Sequence, residues 1–501
     1  MAKSKEIYFL LKTLAEKHDI VISVFLILFI AAFYLVTLND GHPWMDDSAM
    51  YIMHAANIAE GRAYCDTCYL YNPENPYVGP RCYPPIYPIA LAPVYKSFGM
   101  NFKAMKAENV FFFMLFLFFL YLFFKKRLDG HYALFAVFMT GMNFKFWKFS
   151  NMVYSDFLFC LLVYLFFWAH KNGEKKYINY AGLGFLGWLA YAARLPGVLL
   201  PLSVLVAEAA RGRRQFFSQE WKRLSVMLGI FFCLALAQGI VMNCGFAYAD
   251  QLADSFKGHP WKFIRMAKMV FASLYALFYS AQVQSAFMDS AAFFLFVLFV
   301  FFVVLGLWSL RRNFFEPFNI FAFSYLFLIC FGGIYDGIRY LFPVIPAFML
   351  YAFCGIRNFR KLQIAGFVFA AGIFISYVSG YLFFSDFKTK DRGFLSKNAV
   401  QTFYFLSNHT KDGDVLIAGH PRTFCLFTGR KTSVYSPIAN DRRMLEYFND
   451  IQAKYAVVGR KFKADMLVFY PFLMRQSKYF REIYSNRNFK VFRYLGFTEK
   501  I

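Results

Sequence analysis

Long apolar runs alternate with short basic turns along most of this chain. Runs of about twenty residues match the hydrocarbon thickness of a bilayer, so each reads as a membrane-spanning helix. The first, Ile20 to Leu38, is too long for a cleaved signal peptide, lacks a small-residue cleavage site, and so reads as a signal-anchor helix. Further spans are predicted at roughly 105–124, 131–148, 153–169, 178–192, 196–210, 223–243, 290–309, 316–332, 338–354 and 363–384, about eleven in all.

Two regions break the pattern. Between the first two spans, residues 39–104 form a long loop in which Asp47, Tyr51, His54 and Asn57 fall on one helical stripe with apolar residues elsewhere. Gly61 stands where a helix C-cap would be. Tyr83-Pro84-Pro85 interrupts any helix, and Ile86 to Phe98 reads as a second, interfacial one. After the last span the tail alternates helix-like segments (Ala399–His409, Arg443–Gln452) with strand-like runs (Asp414–Ala418, Thr432–Tyr435, Tyr455–Val458, Phe489–Tyr494). The expected fold class is therefore an α-helical polytopic membrane protein, residues 1–384, carrying a small C-terminal α/β domain, residues 385–501. A run from Gly258 to Ala281 is amphipathic enough to lie along the interface.

Composition agrees: 59% of the 501 residues are hydrophobic and 70 are Phe. The net charge of +24 would suit nucleic acid, but its placement argues for membrane topology instead. With a cytoplasmic N-terminus, the turns carrying Lys125-Lys126-Arg127, Lys171/Lys175/Lys176, Arg211/Arg213/Arg214, Arg311-Arg312 and Arg357/Arg360/Lys361 all fall on the cytoplasmic side. The same parity places the 39–104 loop, the 244–289 loop and the tail outside, in an arrangement suited to a bacterial inner membrane. Basic surface on the tail is expected to meet anionic lipid headgroups, and no nucleic-acid partner is expected.

Of the nine cysteines, seven fall into two groups. Cys160, Cys233, Cys330 and Cys354 lie in apolar segments and read as packing residues. Cys65, Cys68 and Cys82 cluster in the first loop. In an oxidising compartment one disulfide is expected there, Cys82 with either of the others; three ligands of a zinc site are the alternative.

Parity also gathers polar residues on the outer face: Asp46, Asp47, His54, Tyr83, Tyr87, Asp156, Arg194, His259, Lys262, Asp336 and Arg339. Carboxylates and arginines at headgroup level can bind a phosphate and activate a hydroxyl beside it. Each has a plainer reading. Asp46, Asp47 and Asp156 could cap helices, Arg194 and Arg339 could be interfacial anchors, and His54 and His259 could be solvated structural histidines. Pro196 and Pro343 suit helix breaks that aim the preceding residue into a cavity.

The motif series, an acidic pair, YPPIYPIALAPVY, SD at the start of a later span, RLPG and RYLFPVIP, resembles the GT-C glycosyltransferases. Within them it is similar to the branch of protein O-mannosyltransferases and the lipid A aminoarabinose transferase. The resemblance implies a polyprenyl-phosphate-linked sugar as donor, an envelope lipid, glycan or protein as acceptor, and inverting transfer on the extracytoplasmic side. By position, Asp46 would be the general base, Asp47 would orient the acceptor or bind a divalent cation, and Asp156 would sit near the donor. Arg194 and Arg339, with Tyr340, would hold the leaving phosphate, while Tyr83, Tyr87, His54, His259 and Lys262 would contact substrate. No cofactor is required, since a phosphate monoester leaves without a protonating acid. The sequence departs from the aminoarabinose branch after Tyr83, where an acidic residue is common, and in its cysteine cluster.

Two rival classes fare worse. A lipid or polysaccharide transporter would show paired broken half-helices in its two halves, with polar residues at the midplane. A phosphate-lipid-modifying enzyme acting at phosphorus would carry a nucleophile in a metal or phosphate motif, and none stands out.

Overall fold

The computed structural model describes residues 2–174, 176–211, 220–242, 261–278, 286–311, 314–332, 337–359, 363–383, 392–438 and 440–496. Each predicted span overlaps helix over most of its described length. In chain order the helices are α1 (Ala2–Val36), α2 (Asp46–Ala59), α3 (Ile86–Phe98), α4 (Phe102–Lys125), α5 (Gly130–Gly141), α6 (Phe144–Ser150), α7 (Asp156–Asn172), α8 (Tyr177–Ala193), α9 (Leu199–Arg211) and α10 (Trp221–Met242). There follow α11 (Trp261–Tyr275), α12 (Ala286–Ser309), α13 (Pro317–Gly332), α14 (Ile345–Asn358) and α15 (Gln363–Phe383).

Among the described residues, four stretches are long and apolar enough to cross a membrane: His18–Val36, Phe102–Lys125, Trp221–Met242 and Asp289–Ser309. Several other spans are shorter or interrupted. The expected helix at 131–148 is split into α5 and α6 around Met142 and Asn143, and the expected spans at 196–210 and 338–354 begin in 3-10 turns, Leu195–Val198 and Ile338–Leu341. Irregular backbone at membrane depth is tolerated where it is covered by protein or lines a cavity. The last two breaks each present an arginine to one shared cavity.

Helix α7 shows how charge is sorted along the bundle. Its first residue, Asp156, pairs with Arg194. Near its other end Lys171 lies 3.7 Å from Glu316, which also accepts from Arg127 at 2.5 Å. Lys125 meets Asp19 at 2.6 Å and Arg357 donates to the Arg127 carbonyl at 3.1 Å, so basic turns from distant parts of the sequence gather at this end. At a rise of about 1.5 Å per residue, the two clusters stand roughly 23 Å apart.

The C-terminal part folds as a five-stranded sheet in the order β2-β1-β3-β5-β4. Its strands are β1 (Val415–Ala418), β2 (Lys431–Ser433), β3 (Ala453–Gly459), β4 (Phe480–Ser485) and β5 (Phe489–Tyr494). Strand β1 lies parallel to β2 and β3, while β5 runs antiparallel to β3 and β4. Helices α16 (Lys397–His409), α17 (Pro421–Thr428), α18 (Asp441–Asp450) and α19 (Tyr470–Arg475) accompany it.

The first loop is welded to this sheet. Leu70 N–H donates to the Thr432 carbonyl at 2.9 Å and Thr432 N–H to the Cys68 carbonyl at 3.0 Å, so the loop extends the β2 edge in parallel. The Asn72 and Asn75 side-chain amides donate to the Val434 and Tyr435 carbonyls at 2.8 and 2.9 Å. Trp44 completes the seam: its ring stands 5.0 Å from Phe462 and 5.5 Å from both Phe489 and His420. Pairing an edge strand and packing a partly buried tryptophan both withdraw surface that would otherwise invite association elsewhere.

Candidate active site

Asp46 and Asp47 open helix α2, where the helix dipole favours carboxylates. Neighbours on a helix point about 100° apart, and the two acids reach different partners.

Asp47 faces a cavity of about 110 Å³, lined also by Tyr51, Tyr83, Arg194, Tyr325, Arg339 and Tyr340. Its Oδ2 accepts from Arg339 Nη2 at 2.7 Å. Its Oδ1 accepts from the Tyr83 hydroxyl at 2.5 Å and from Arg422 Nη1 at 3.4 Å. The side chain keeps 26% of its exposure, toward the cavity. Burial alone would raise the Asp47 carboxyl, but Arg339 and Arg422 outweigh it and hold it below the usual carboxylate range.

Asp46 does not line this cavity. Its Oδ1 accepts from the Thr423 backbone N–H at 3.3 Å and the Thr423 hydroxyl at 2.8 Å, with His420 Nδ1 at 3.5 Å. It thus caps the N-terminus of α17 from another part of the chain. The two acids thus part ways: Asp46 meets the C-terminal domain, and Asp47 faces the cavity.

Arg194 and Arg339 both reach the cavity, each from a break in its helix. Arg194 ends α8 in extended backbone, and Leu195–Val198 then turns sharply through Pro196 and Gly197. A Cβ on Gly197 would lie 2.2 Å from the Tyr191 backbone nitrogen, so only glycine closes this turn. Asp156 holds Arg194 by an ion pair and is itself 5% exposed, so it orients the arginine without lining the cavity. Arg339 sits on the turn Ile338–Leu341 before Pro343, with its guanidinium 4.6 Å from the Tyr154 ring and 5.2 Å from the Tyr340 ring. Arg194 lies 5.0 Å from the same Tyr340 ring, so one aromatic meets both cations.

His54 and Tyr87 are not cavity residues. His54 Nδ1 faces the Tyr64 carbonyl at 2.9 Å, while its Nε2 accepts from the Tyr83 backbone N–H at 3.2 Å. Both nitrogens are spent on fixing the loop, and burial pushes the imidazole down to about 4, so it stays neutral. Asn57, on the same stripe, donates to the Tyr64 and Asp66 carbonyls. Tyr87 is fully buried and packs edge-on against Tyr51, ring centroids 5.0 Å apart. The stripe on α2 is divided: its first half faces the cavity and its second half holds the loop that delivers Tyr83. Cys65 and Cys82 are bridged, with Cα atoms 5.9 Å apart, and Cys68 is a free thiol. That leaves no set of three ligands for zinc. His259 and Asp336 lie outside the described residues, as does the side chain of Lys262.

The C-terminal residues around Asp46 and Asp47, namely His420, Arg422 and Thr423, were not anticipated as site residues. The only sequence signal is Pro421, which suits the first turn of a helix; nothing local links it to a loop more than three hundred residues upstream.

No family model matches the sequence, and no curated protein matches it. Solved structures do. ArnT from Cupriavidus metallidurans bound to undecaprenyl phosphate superposes with a TM-score of 0.55 at 12% identity, over 94% of this chain and 97% of that one. The oligosaccharyltransferase AglB from Archaeoglobus fulgidus, in complex with an inhibitory peptide and a dolichol-phosphate, gives 0.56 at 13% identity, over 96% of this chain and 74% of that one. The same archaeal enzyme complexed with Zn and sulfate gives 0.56 at 13% identity, over 92% and 72%. The chain therefore has the GT-C fold: a polytopic helical bundle with a C-terminal domain, like these membrane glycosyltransferases.

Proposed function

We propose that this chain is an inverting membrane glycosyltransferase that moves a sugar from a polyprenyl-phosphate carrier to a hydroxyl of an envelope lipid, glycan or protein, on the extracytoplasmic face. The observation that carries the reading is the cavity itself: one ionised carboxylate, Asp47, opposite two guanidiniums, Arg194 and Arg339, in a chain with the GT-C fold. ArnT bound to undecaprenyl phosphate and AglB in complex with a dolichol-phosphate support a lipid-phosphate donor. The positive turns gathered at the far end of the bundle support an extracytoplasmic cavity.

In this reading Arg194 and Arg339, both packed against Tyr340, hold the phosphate. The acceptor oxygen attacks C1 from the opposite side as the C1–O bond to phosphate breaks, and Asp47 takes the hydroxyl proton. The lipid monophosphate departs with its charge balanced by the arginines. Asp47 is a weak base because its cations depress it. That suits an oxocarbenium-like transition state, in which bond breaking leads and the proton leaves late. Guanidiniums already face both Asp47 oxygens, so the reading places its countercharge on arginines and routes no step through a divalent cation. Among the described residues no cluster of three His, Cys, Asp or Glu is assembled to hold a metal.

The test is a comparison of Asp47→Asn with Asp46→Asn in the purified full chain, given polyprenyl-phosphate sugars and an envelope extract as acceptor. Asp47→Asn is expected to lose about 10²–10⁴ in turnover, and Asp46→Asn far less. Full turnover by a folded Asp47→Asn protein would sink the assignment.

A further inference from the structure

We propose that Arg422, from the C-terminal α/β domain, is a positioning residue of the catalytic cavity: it fixes the Tyr83 hydroxyl as a donor to Asp47 and sets a guanidinium beside that carboxylate. This rests on the reading of Asp47 as the base. Arg422 is fully buried, which is rare for an arginine unless its charge is matched. Its Nη1 donates to the Tyr83 hydroxyl at 2.6 Å and approaches Asp47 Oδ1 at 3.4 Å, and its Nη2 donates to the Pro80 carbonyl at 2.8 Å.

The polarity of the chain follows from donor inventory. A guanidinium only donates, and a phenol has one hydrogen. With its oxygen accepting from Arg422, Tyr83 directs that hydrogen to Asp47 Oδ1 at 2.5 Å. The relay runs Arg422 to Tyr83 to Asp47, and each bond is charge-assisted at one end.

The seat for Arg422 is shaped for it. The guanidinium lies 4.9 Å from both the Tyr69 and the Tyr83 ring centroids. Gly79, at φ +100°, leaves the opening: a Cβ there would stand 2.6 Å from Arg422 Nη2. Beside it, Asp46 caps the helix that carries Arg422. The acidic pair therefore works as a unit across the domain boundary, Asp46 docking α17 so that Arg422 reaches Asp47. A site poised this way is assembled only when the C-terminal domain is seated on the first loop.

A merely structural tie would also explain the burial, so the test reads the titration of Asp47 rather than activity alone. In pH-difference infrared spectra of the full-length protein in detergent, the protonated-carboxyl band missing from Asp47→Asn reports that residue. We expect its midpoint to rise by about one pH unit or more in Arg422→Gln and to recover at least half of that in Arg422→Lys. A midpoint unchanged in an Arg422→Gln protein that melts with the wild type overturns the proposal. Where that variant fails to fold, Tyr83→Phe replaces it, because it removes the hydroxyl that Arg422 orients at nearly constant shape; an unmoved midpoint there overturns it equally. Sugar transfer is measured in parallel, with a loss of about 10²-fold expected for Arg422→Gln. Absence of transfer by the wild-type chain would sink the catalytic reading, while the titration decides the linkage by itself.

Discussion

Asp46 and Asp47 show how far adjacent residues can diverge. Their chemistry is the same, and the roughly 100° step of the helix sends one to a helix end and the other to a cavity. Asp46→Ala removes a cap, so it is expected to cost about 1 kcal/mol and to loosen the C-terminal domain, read as earlier proteolysis of the tail at unchanged bundle melting. Asp47 has a depressed folded pKa. Its contribution to stability is therefore present above the ordinary value of 3.8 and lost as pH falls through the lowered folded value. Activity should accordingly have no acid limb near neutrality. Asp47→Asn removes the carboxylate that Arg339 and Arg422 both face. Because Asp47 is 26% exposed, the cost should fall well below the roughly 3–5 kcal/mol of a fully buried broken pair.

At the scale of elements, two devices place the side chains. Helix breaks at Leu195–Val198 and Ile338–Leu341 turn arginines inward, and their prolines made both visible in the sequence. The first loop is held by the Cys65–Cys82 bridge, by His54 and by the Tyr64 hydroxyl, which donates to the Tyr83 carbonyl at 2.7 Å. All three act on the segment that carries Tyr83. For a sequence separation of 17, loop-closure entropy gives about 3 kcal/mol. Cys65→Ser with Cys82→Ser, or reduction, is expected to lower the melting temperature and to weaken transfer more than stability alone requires, because Tyr83 loses its anchor. Equal activity after complete reduction would count against this. Helix α17, a single short element between β1 and β2, went unrecognised in the sequence because the whole helix is only eight residues long; its position is set by Asp46 and Trp44, not by its own periodicity.

Across the whole molecule, the bundle and the C-terminal domain are joined by aromatic packing around Trp44, strand addition at β2 and a charged seam. His420 belongs to that seam. Burial would lower its imidazole, but Asp46, and more weakly Asp465, raise it above the ordinary 6.5. A raised histidine stabilises fully below its unfolded pKa, and the contribution fades as pH rises through the folded value. Melting temperature is therefore expected to decline as pH rises from the ordinary 6.5 through the raised folded value, and to be flatter over that range in His420→Gln. A parallel slope in the two proteins would remove His420 as the cause.

Much of this protein is written in one dimension. Spans of bilayer length, basic turns on alternate connections, proline-marked breaks before or after arginines and the alternating tail depend on hydrophobic period, charge and local backbone chemistry, all of which act between neighbours in sequence. Tertiary structure alone decided which acid of a pair faces the cavity, that His54 and Tyr87 support and do not line it, which cysteine stays free, and that an arginine of the C-terminal domain reaches the first loop. Those outcomes depend on helix phase, on how the first loop closes on itself, and on contacts between segments more than three hundred residues apart, as between Asp47 and Arg422. A sequence pattern records which faces are apolar, and long-range packing selects which polar atoms meet.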